Sequence, residues 1–319
     1  MRKIVVHIAI TLCLFALTSC GNSEMSGQGN ADNGRPTIAL IMKSLANEFF
    51  VTMAEGAKAH QALNEAQYKL IVNGIKNEVD LAQQVALIDQ MISSNVDAIV
   101  IAPADSKAIV PALARAHAAG IAIVNIDNRL DKEVLRDYDL NIPFVGPNNF
   151  LGAELVGQHL ALHLRRGEKV AILEGVSTTF NSQQRSAGFK KAMSDAGMDV
   201  VAQQSAQWDQ TLAVTITAAI LVQHPDLSAI LCANDNMALG AAAAVTQAGM
   251  KEQIKIVGFD NISAIHHLIR EESVLATIDQ HADLLAVYGI EYALEAISSS
   301  QIIADKSTAV DLVTKDSIK

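Results

Sequence analysis

From Thr37 onward, short apolar runs alternate with longer stretches of helical period, and this alternation predicts βαβ units on a mostly parallel sheet. Thr37 to Met42 reads as a buried strand, Glu48 to Asn64 as a helix and Tyr68 to Val72 as the next strand. Leu81, Val85, Ile88 and Ile92 recur at spacings of four, three and four, which puts them on one helix face directed at the sheet. Ala98 to Ile101 is a further strand. The Ala-rich stretch Lys107 to Ala119 is a helix that Gly120 stops as a C-cap, and Ile121 to Ile126 is another strand.

The second half repeats the scheme. Strands are expected at Val170 to Leu173, Val200 to Ala202, Ala229 to Cys232 and Ile254 to Val257, with helices near 183–196, 211–224 and 235–248. Two similar α/β lobes follow from this, and the length of 319 residues suits two domains. Strand ends support the similarity: Ile101-Ala102-Pro103-Ala104-Asp105 is matched by Leu231-Cys232-Ala233-Asn234-Asp235, and Ile126-Asp127-Asn128 by Phe259-Asp260-Asn261. In open parallel sheets ligands bind outside the carboxyl ends of the strands. Asp127, Asn234 and Asp260 all lie at such ends, where a turn or helix N-cap role competes with a binding role for each.

The first twenty residues do not belong to this pattern. Arg2 and Lys3, the apolar run Ile4 to Leu17 and the small residues after it have the layout of a secretory signal. The run falls short of the ~20 apolar residues that cross a bilayer. Leu17-Thr18-Ser19-Cys20 resembles the lipobox of bacterial lipoproteins, which implies lipidation of Cys20 and residence in the cell envelope, periplasmic or otherwise extracytoplasmic, on a membrane anchor. Gly21 to Arg35 is rich in Gly, Asn and Ser and reads as a flexible tether. With Cys13 in the leader and Cys20 lipidated, Cys232 is the one thiol left. It sits in the apolar run Ala229 to Cys232 and is expected to be a buried small hydrophobe.

Composition narrows the chemistry. Half the residues are hydrophobic but only 4% are aromatic, so where the few aromatics sit is informative. A net charge of −10 opposes binding to nucleic acid. There is no Gly-x-Gly-x-x-Gly after a strand, no phosphate loop and no Gly-x-Ser-x-Gly elbow, which argues against an enzyme and leaves no cofactor implied. His266-His267 has no third ligand at metal spacing and reads as surface or capping histidines, so no metal is expected.

Seven pieces in order then resemble the periplasmic sugar-binding proteins of ABC transporters, of the ribose- and allose-binding type. They are Asn47-Glu48-Phe49-Phe50, Asp127, Arg185-Ser186-Ala187-Gly188-Phe189, Trp208-Asp209, Asn234 to Gly240, Val257 to Asp260, and Ala276 to Gln280. The resemblance spans Thr37 to the C-terminus. It implies a type I periplasmic binding protein: two doubly wound parallel-sheet lobes joined by a three-strand hinge, with crossings near Asn148, near Gln280 and close to residue 309. The lobes would be 36–147 with 281–308, and 148–280 with 309–319. The resemblance assigns ligand contacts to Asn47, Phe49, Phe50, Asp127, Arg185, Trp208, Asn234, Asp260 and Gln280. That set suits a sugar or sugar alcohol, whose hydroxyls need carboxylates, amides and a guanidinium, and whose C–H faces need flat partners.

Ribose binders carry an Asn where this chain has Ala102, and an Arg where it has Asn128. Ribose itself is therefore disfavoured, a pentose, hexose or polyol stays open, and Arg129 is available as a substitute if its loop shifts. The resemblance implies a monomeric carrier that delivers its ligand to an ABC transporter permease. A second reading, presentation of the bound sugar to a chemoreceptor or sensor kinase, uses the same binding event. A repressor of the same fold would need a DNA-binding segment where the export signal lies.

Overall fold

A computed structural model describes residues 34–299 and 303–318. The expected signal, lipobox and nearly all of the tether lie outside the described residues, as do 300–302 of the first lobe's expected second segment.

Ten helices and twelve strands are described. In chain order they are β1 (Thr37–Ser44), α1 (Glu48–Leu63), β2 (Lys69–Ile75), α2 (Leu81–Ser93), β3 (Ala98–Ile101), α3 (Val110–Ala118), β4 (Ala122–Ile126), α4 (Lys132–Asp137) and β5 (Phe144–Pro147). The chain continues with α5 (Asn149–Ala161), β6 (Lys169–Glu174), α6 (Phe180–Ala196), β7 (Asp199–Ser205), α7 (Gln210–Gln223), β8 (Leu227–Cys232) and α8 (Asp235–Gln247). It closes with β9 (Lys255–Val257), α9 (Ser263–Arg270), β10 (Ala276–Asp279), α10 (Ala282–Ser298), β11 (Lys306–Thr308) and β12 (Asp311–Thr314).

Two six-stranded sheets result, ordered β11-β5-β4-β3-β1-β2 and β12-β10-β9-β8-β6-β7. Read by position along each half, both carry the doubly wound order 2-1-3-4-5, so the switch points fall between β1 and β3 and between β6 and β8. All the pairings are parallel except β10 with β12. The chain passes between the sheets after β5, after β10 and between β11 and β12.

Local sequence explains the layers. Ile38 to Met42 of β1 and Ala98 to Ile101 of β3 are completely buried, as expected for central parallel strands covered on both faces. α1 packs on α10, α5 on α6 and α7 on α8. Gly188 of α6 lies against the Phe150 carbonyl of α5, and Gly240 of α8 against the Gln210 carbonyl of α7. A Cβ at either place would collide with backbone, so the glycines in two of the sequence pieces above let paired helices approach closely.

One helix boundary shifts from the sequence expectation. α3 begins at Val110 instead of Lys107, because the Asp105 carboxylate accepts hydrogen bonds from the Lys107 and Ala108 amides, each at 2.7 Å, and holds the segment in a turn. Gly120 does close that helix: its φ is +84°, and the Ile121 amide donates back to the Ala116 carbonyl at 3.1 Å. Cys232 is a buried free thiol whose pKa burial pushes well up, as a core residue should show.

Candidate functional site

The carboxyl ends of both sheets face one narrow cavity. All nine residues singled out from the sequence line it: Asn47, Phe49, Phe50 and Asp127 from the first sheet's side, and Arg185, Trp208, Asn234, Asp260 and Gln280 from the second's. Lys43, Glu78 and Asn181 line it as well, and sequence reasoning did not single them out.

Several of these side chains serve a helix start and the cavity together. Asn47 caps α1 by accepting from the Phe49 amide at 3.0 Å, while its Nδ2 donates to Glu78 Oε1 at 3.0 Å. Asn234 caps α8 through the Met237 amide at 2.9 Å and donates from Nδ2 to the Trp208 carbonyl at 3.4 Å. The competing cap role was therefore correct for Asn234, without removing it from the cavity wall. Asp209 is a cap alone, accepting from the Leu212 amide at 2.7 Å.

On the first sheet's side, the next-to-last residue of β1 is Lys43, whose ammonium is 3.1 Å from Asp127 Oδ2 and 3.5 Å from Glu78 Oε2. It also lies 5.3 Å from the Phe50 ring centre and 5.6 Å from that of Trp208. Burial disfavours the charge, but Asp127 and Glu78 outweigh it and hold Lys43 above its ordinary pKa. Burial lifts Glu78 above the usual carboxylate range, with Asp127 adding to the effect and Lys43 and the Asn47 amide opposing it. Asp127 sits at the end of β4 with φ +61°, a conformation open to Asp more readily than to most residues.

On the opposite side Arg185, in the first turns of α6, is held on every edge. Its Nε donates to Asn149 Oδ1 at 2.8 Å, and its Nη1 to the Ala233 carbonyl at 2.8 Å and to Asp260 Oδ1 at 3.4 Å. The guanidinium stacks 3.7 Å from the Phe259 ring centre. Asp260 also accepts from Gln280 Nε2 at 2.6 Å and has φ +123°, a strained conformation for an L-residue. Burial pushes its carboxyl far above the usual range, with Arg185 pulling the other way. Behind it Asp235, raised to about 7 mainly by burial, accepts from Thr277 Oγ1 at 2.7 Å and from the Ile262 amide at 3.1 Å.

The indole of Trp208 lies on Gly175, where any Cβ would overlap the ring. Its buried Nε1 has no partner, nor has Gln280 Oε1; Glu78 Oε2 and Asp127 Oδ2 have the Lys43 charge but no well-formed hydrogen bond. One donor and three acceptors on residues of the cavity wall thus lack a hydrogen bond, a mixture suited to a molecule that both donates and accepts.

Neither Arg129 nor Asn128 lines the cavity. Arg129 does not reach the cavity: it pairs with Asp305 at 2.6 Å and stacks 4.1 Å from the Phe144 ring centre, so it does not substitute there. Asn128 turns away to the Pro103 carbonyl at 3.0 Å. Lys43 was legible in principle as a lone charge closing an apolar strand, and Asn181 as a polar residue in the first turn of α6. Glu78 sits in a polar loop, where nothing local distinguishes it.

Residues 38–301 match the model of the periplasmic binding protein domain. The D-ribose/D-allose-binding protein of Pseudomonas aeruginosa is 49% identical over 308 residues, 95% of this chain and 97% of that protein. An ABC transporter solute-binding protein from Burkholderia multivorans superposes with a TM-score of 0.86 at 53% identity, over 88% of this chain and 100% of the other. One from Actinobacillus succinogenes with bound D-allose gives 0.84 at 36% identity, over 89% and 99%. The chain belongs to the periplasmic binding proteins, among the sugar-binding solute-binding proteins of ABC transporters, which are carriers and not enzymes.

Proposed function

We propose that this protein captures a monosaccharide or sugar alcohol between its lobes and delivers it to an ABC transporter permease. The observation that carries the reading is the cavity wall. Buried carboxylates, an ammonium, a guanidinium and amides line a space together with Phe50 and Trp208, and a donor and three acceptors of these wall residues have no hydrogen bond. A neutral polyhydroxylated ring satisfies such a wall, because each hydroxyl gives one hydrogen bond and takes others while its C–H face meets the aromatics. All nine residues named from the sequence are proposed to touch the ligand, together with Lys43 and Glu78. These two supply the first-lobe hydrogen bonding that Ala102 and Asn128 do not. D-allose, bound by a solved relative, is the first candidate.

The lobes are proposed to be 36–147 with 281–308, and 148–280 with 309–319. The protein acts as a monomer held at the membrane by lipidated Cys20, which becomes the N-terminus once the signal segment before it is removed. Cys20→Ser should release it into the soluble envelope fraction; full retention on membranes would refute the anchor.

A thermal-shift series of the mature chain with D-allose, D-ribose, other pentoses and hexoses, deoxy sugars and acyclic polyols tests the binding role. A sugar at a hundred times its dissociation constant stabilises by about 2.7 kcal/mol. A strong shift with one group of epimers is expected, and no shift with any neutral sugar would contradict the reading.

A further inference from the structure

We propose that Glu48 and the Ser106–Asn128 pair are latches of the closed state: each caps a helix of the opposite lobe and so sets ligand affinity without touching ligand. The proposal rests on the capture of a sugar between lobes that open and close.

The helices that pack with the second sheet differ in how their first amides are capped. Three helices packed with the second sheet carry their own side-chain caps: Asn148 for α5, Asp209 for α7 and Asn234 for α8. The remaining two, α6 and α9, have none; Thr179 and Ile262 occupy their cap positions without a capping bond. The first amides of both are met instead from the other lobe. At α9, Glu48 Oε1 accepts from the Ser263 amide at 2.8 Å and from the Ser263 hydroxyl, and Oε2 accepts from the Ala264 amide at 3.3 Å. At α6, Ser106 Oγ accepts from the Phe180 amide at 2.9 Å, and Asn128 Oδ1 from the Asn181 amide at 3.3 Å. Ser106 also donates to Asn128 Oδ1 at 3.3 Å, which orients the pair.

The latches adjoin the cavity, since Glu48 lies between Asn47 and Phe49, and Asn181 is itself a wall residue. Glu48 begins α1 and is half-buried, so its carboxylate already favours the N-terminal end of its own helix and reaches across from there. When the lobes part, water takes over the four amides, and only the surplus of a cap over water is lost. For a helix N-cap that surplus corresponds to roughly three- to thirtyfold in an equilibrium constant. A ligand that closes the lobes gains this factor at each latch.

The experiment uses the mature chain with D-allose as probe and compares wild type with Glu48→Ala, Glu48→Gln and Ser106→Ala. Titration calorimetry, melting of free and sugar-saturated protein, and hydrogen exchange at Ser263, Ala264, Phe180 and Asn181 are measured. Glu48→Ala should weaken D-allose roughly three- to thirtyfold, Glu48→Gln less, and Ser106→Ala a few-fold. The saturated forms should melt lower while the free forms melt with wild type, and exchange should rise only at the helix whose cap was removed. Equal loss of melting temperature with and without sugar would make Glu48 a fold residue and overturn the proposal, as would unchanged affinity. If wild type fails to bind any sugar, the capture reading falls separately. The latch is then judged by exchange alone, and equal protection of Ser263 and Ala264 in wild type and Glu48→Ala would overturn it.

Discussion

The two sides of the cavity share a strand order and handle buried charge in opposite ways. On the second sheet's side Arg185 is fixed by Asn149, the Ala233 carbonyl, Asp260 and the face of Phe259, so the guanidinium has one position before any ligand arrives. On the first sheet's side Lys43 is a point charge shared between Asp127 and Glu78, on a flexible stem and without a well-formed hydrogen bond to Glu78 Oε2 or Asp127 Oδ2. On the proposed function this difference is a division of labour, in which one side would anchor the ligand and the other would adapt to its hydroxyl pattern.

The sharpest way to break that contrast is Arg185→Ala. It removes the donor from three buried acceptors, so stability should fall by about 3 kcal/mol or more and affinity by roughly a hundredfold or more. Denaturant melts and sugar titrations check both. Arg185→Lys should not restore either, because an ammonium does not reproduce the fork. Asp127→Asn should cost roughly ten- to a hundredfold in affinity, since it removes a charge-assisted contact and loosens Lys43, with a smaller change in stability. Lys43→Met should lower affinity by roughly tenfold, alter the ranking among epimers and destabilise the free protein by about 3 kcal/mol, because it leaves the buried Asp127 and Glu78 carboxylates without their cation. If Lys43→Met left the ranking among epimers unchanged, the division of labour would fail. Trp208→Ala should weaken ring sugars more than open-chain polyols, and equal losses would make the indole a packing residue.

The smallest effect is in acid. Burial opposes the charge on Glu48, but the bonds from Ser263 and Ala264 prevail and hold its carboxyl below the usual range in the closed state, with His266 nearby adding to the effect. In the open lobes the same carboxyl regains an ordinary value near 4.3. The latch contribution is therefore complete above that value and lost as pH falls through the depressed one. The affinity gap between wild type and Glu48→Gln should narrow on that descent; a gap unchanged in acid would exclude the carboxylate as the latch.

Much of this was legible in the sequence because it is local. Strand ends and caps follow from apolar runs and short polar turns, which is why Asp127, Asn234 and Asp260 could be located. The start of α3 was misjudged because a single Asp105 side chain outweighs the helical propensity of the residues after it. Glu78 and the trans-lobe caps were invisible for a different reason. They depend on which loops the two sheets bring face to face, and periodicity along the chain carries no record of that.

A crystal structure of the mature protein with the sugar that gives the largest thermal shift tests the central claim most directly. One sugar is expected between the lobes, bonded to Arg185 and Asp260 on one side and to Lys43 and Asp127 on the other, with Phe50 and Trp208 against its faces. A sugar held by one lobe alone, or bound outside this cavity, would contradict it.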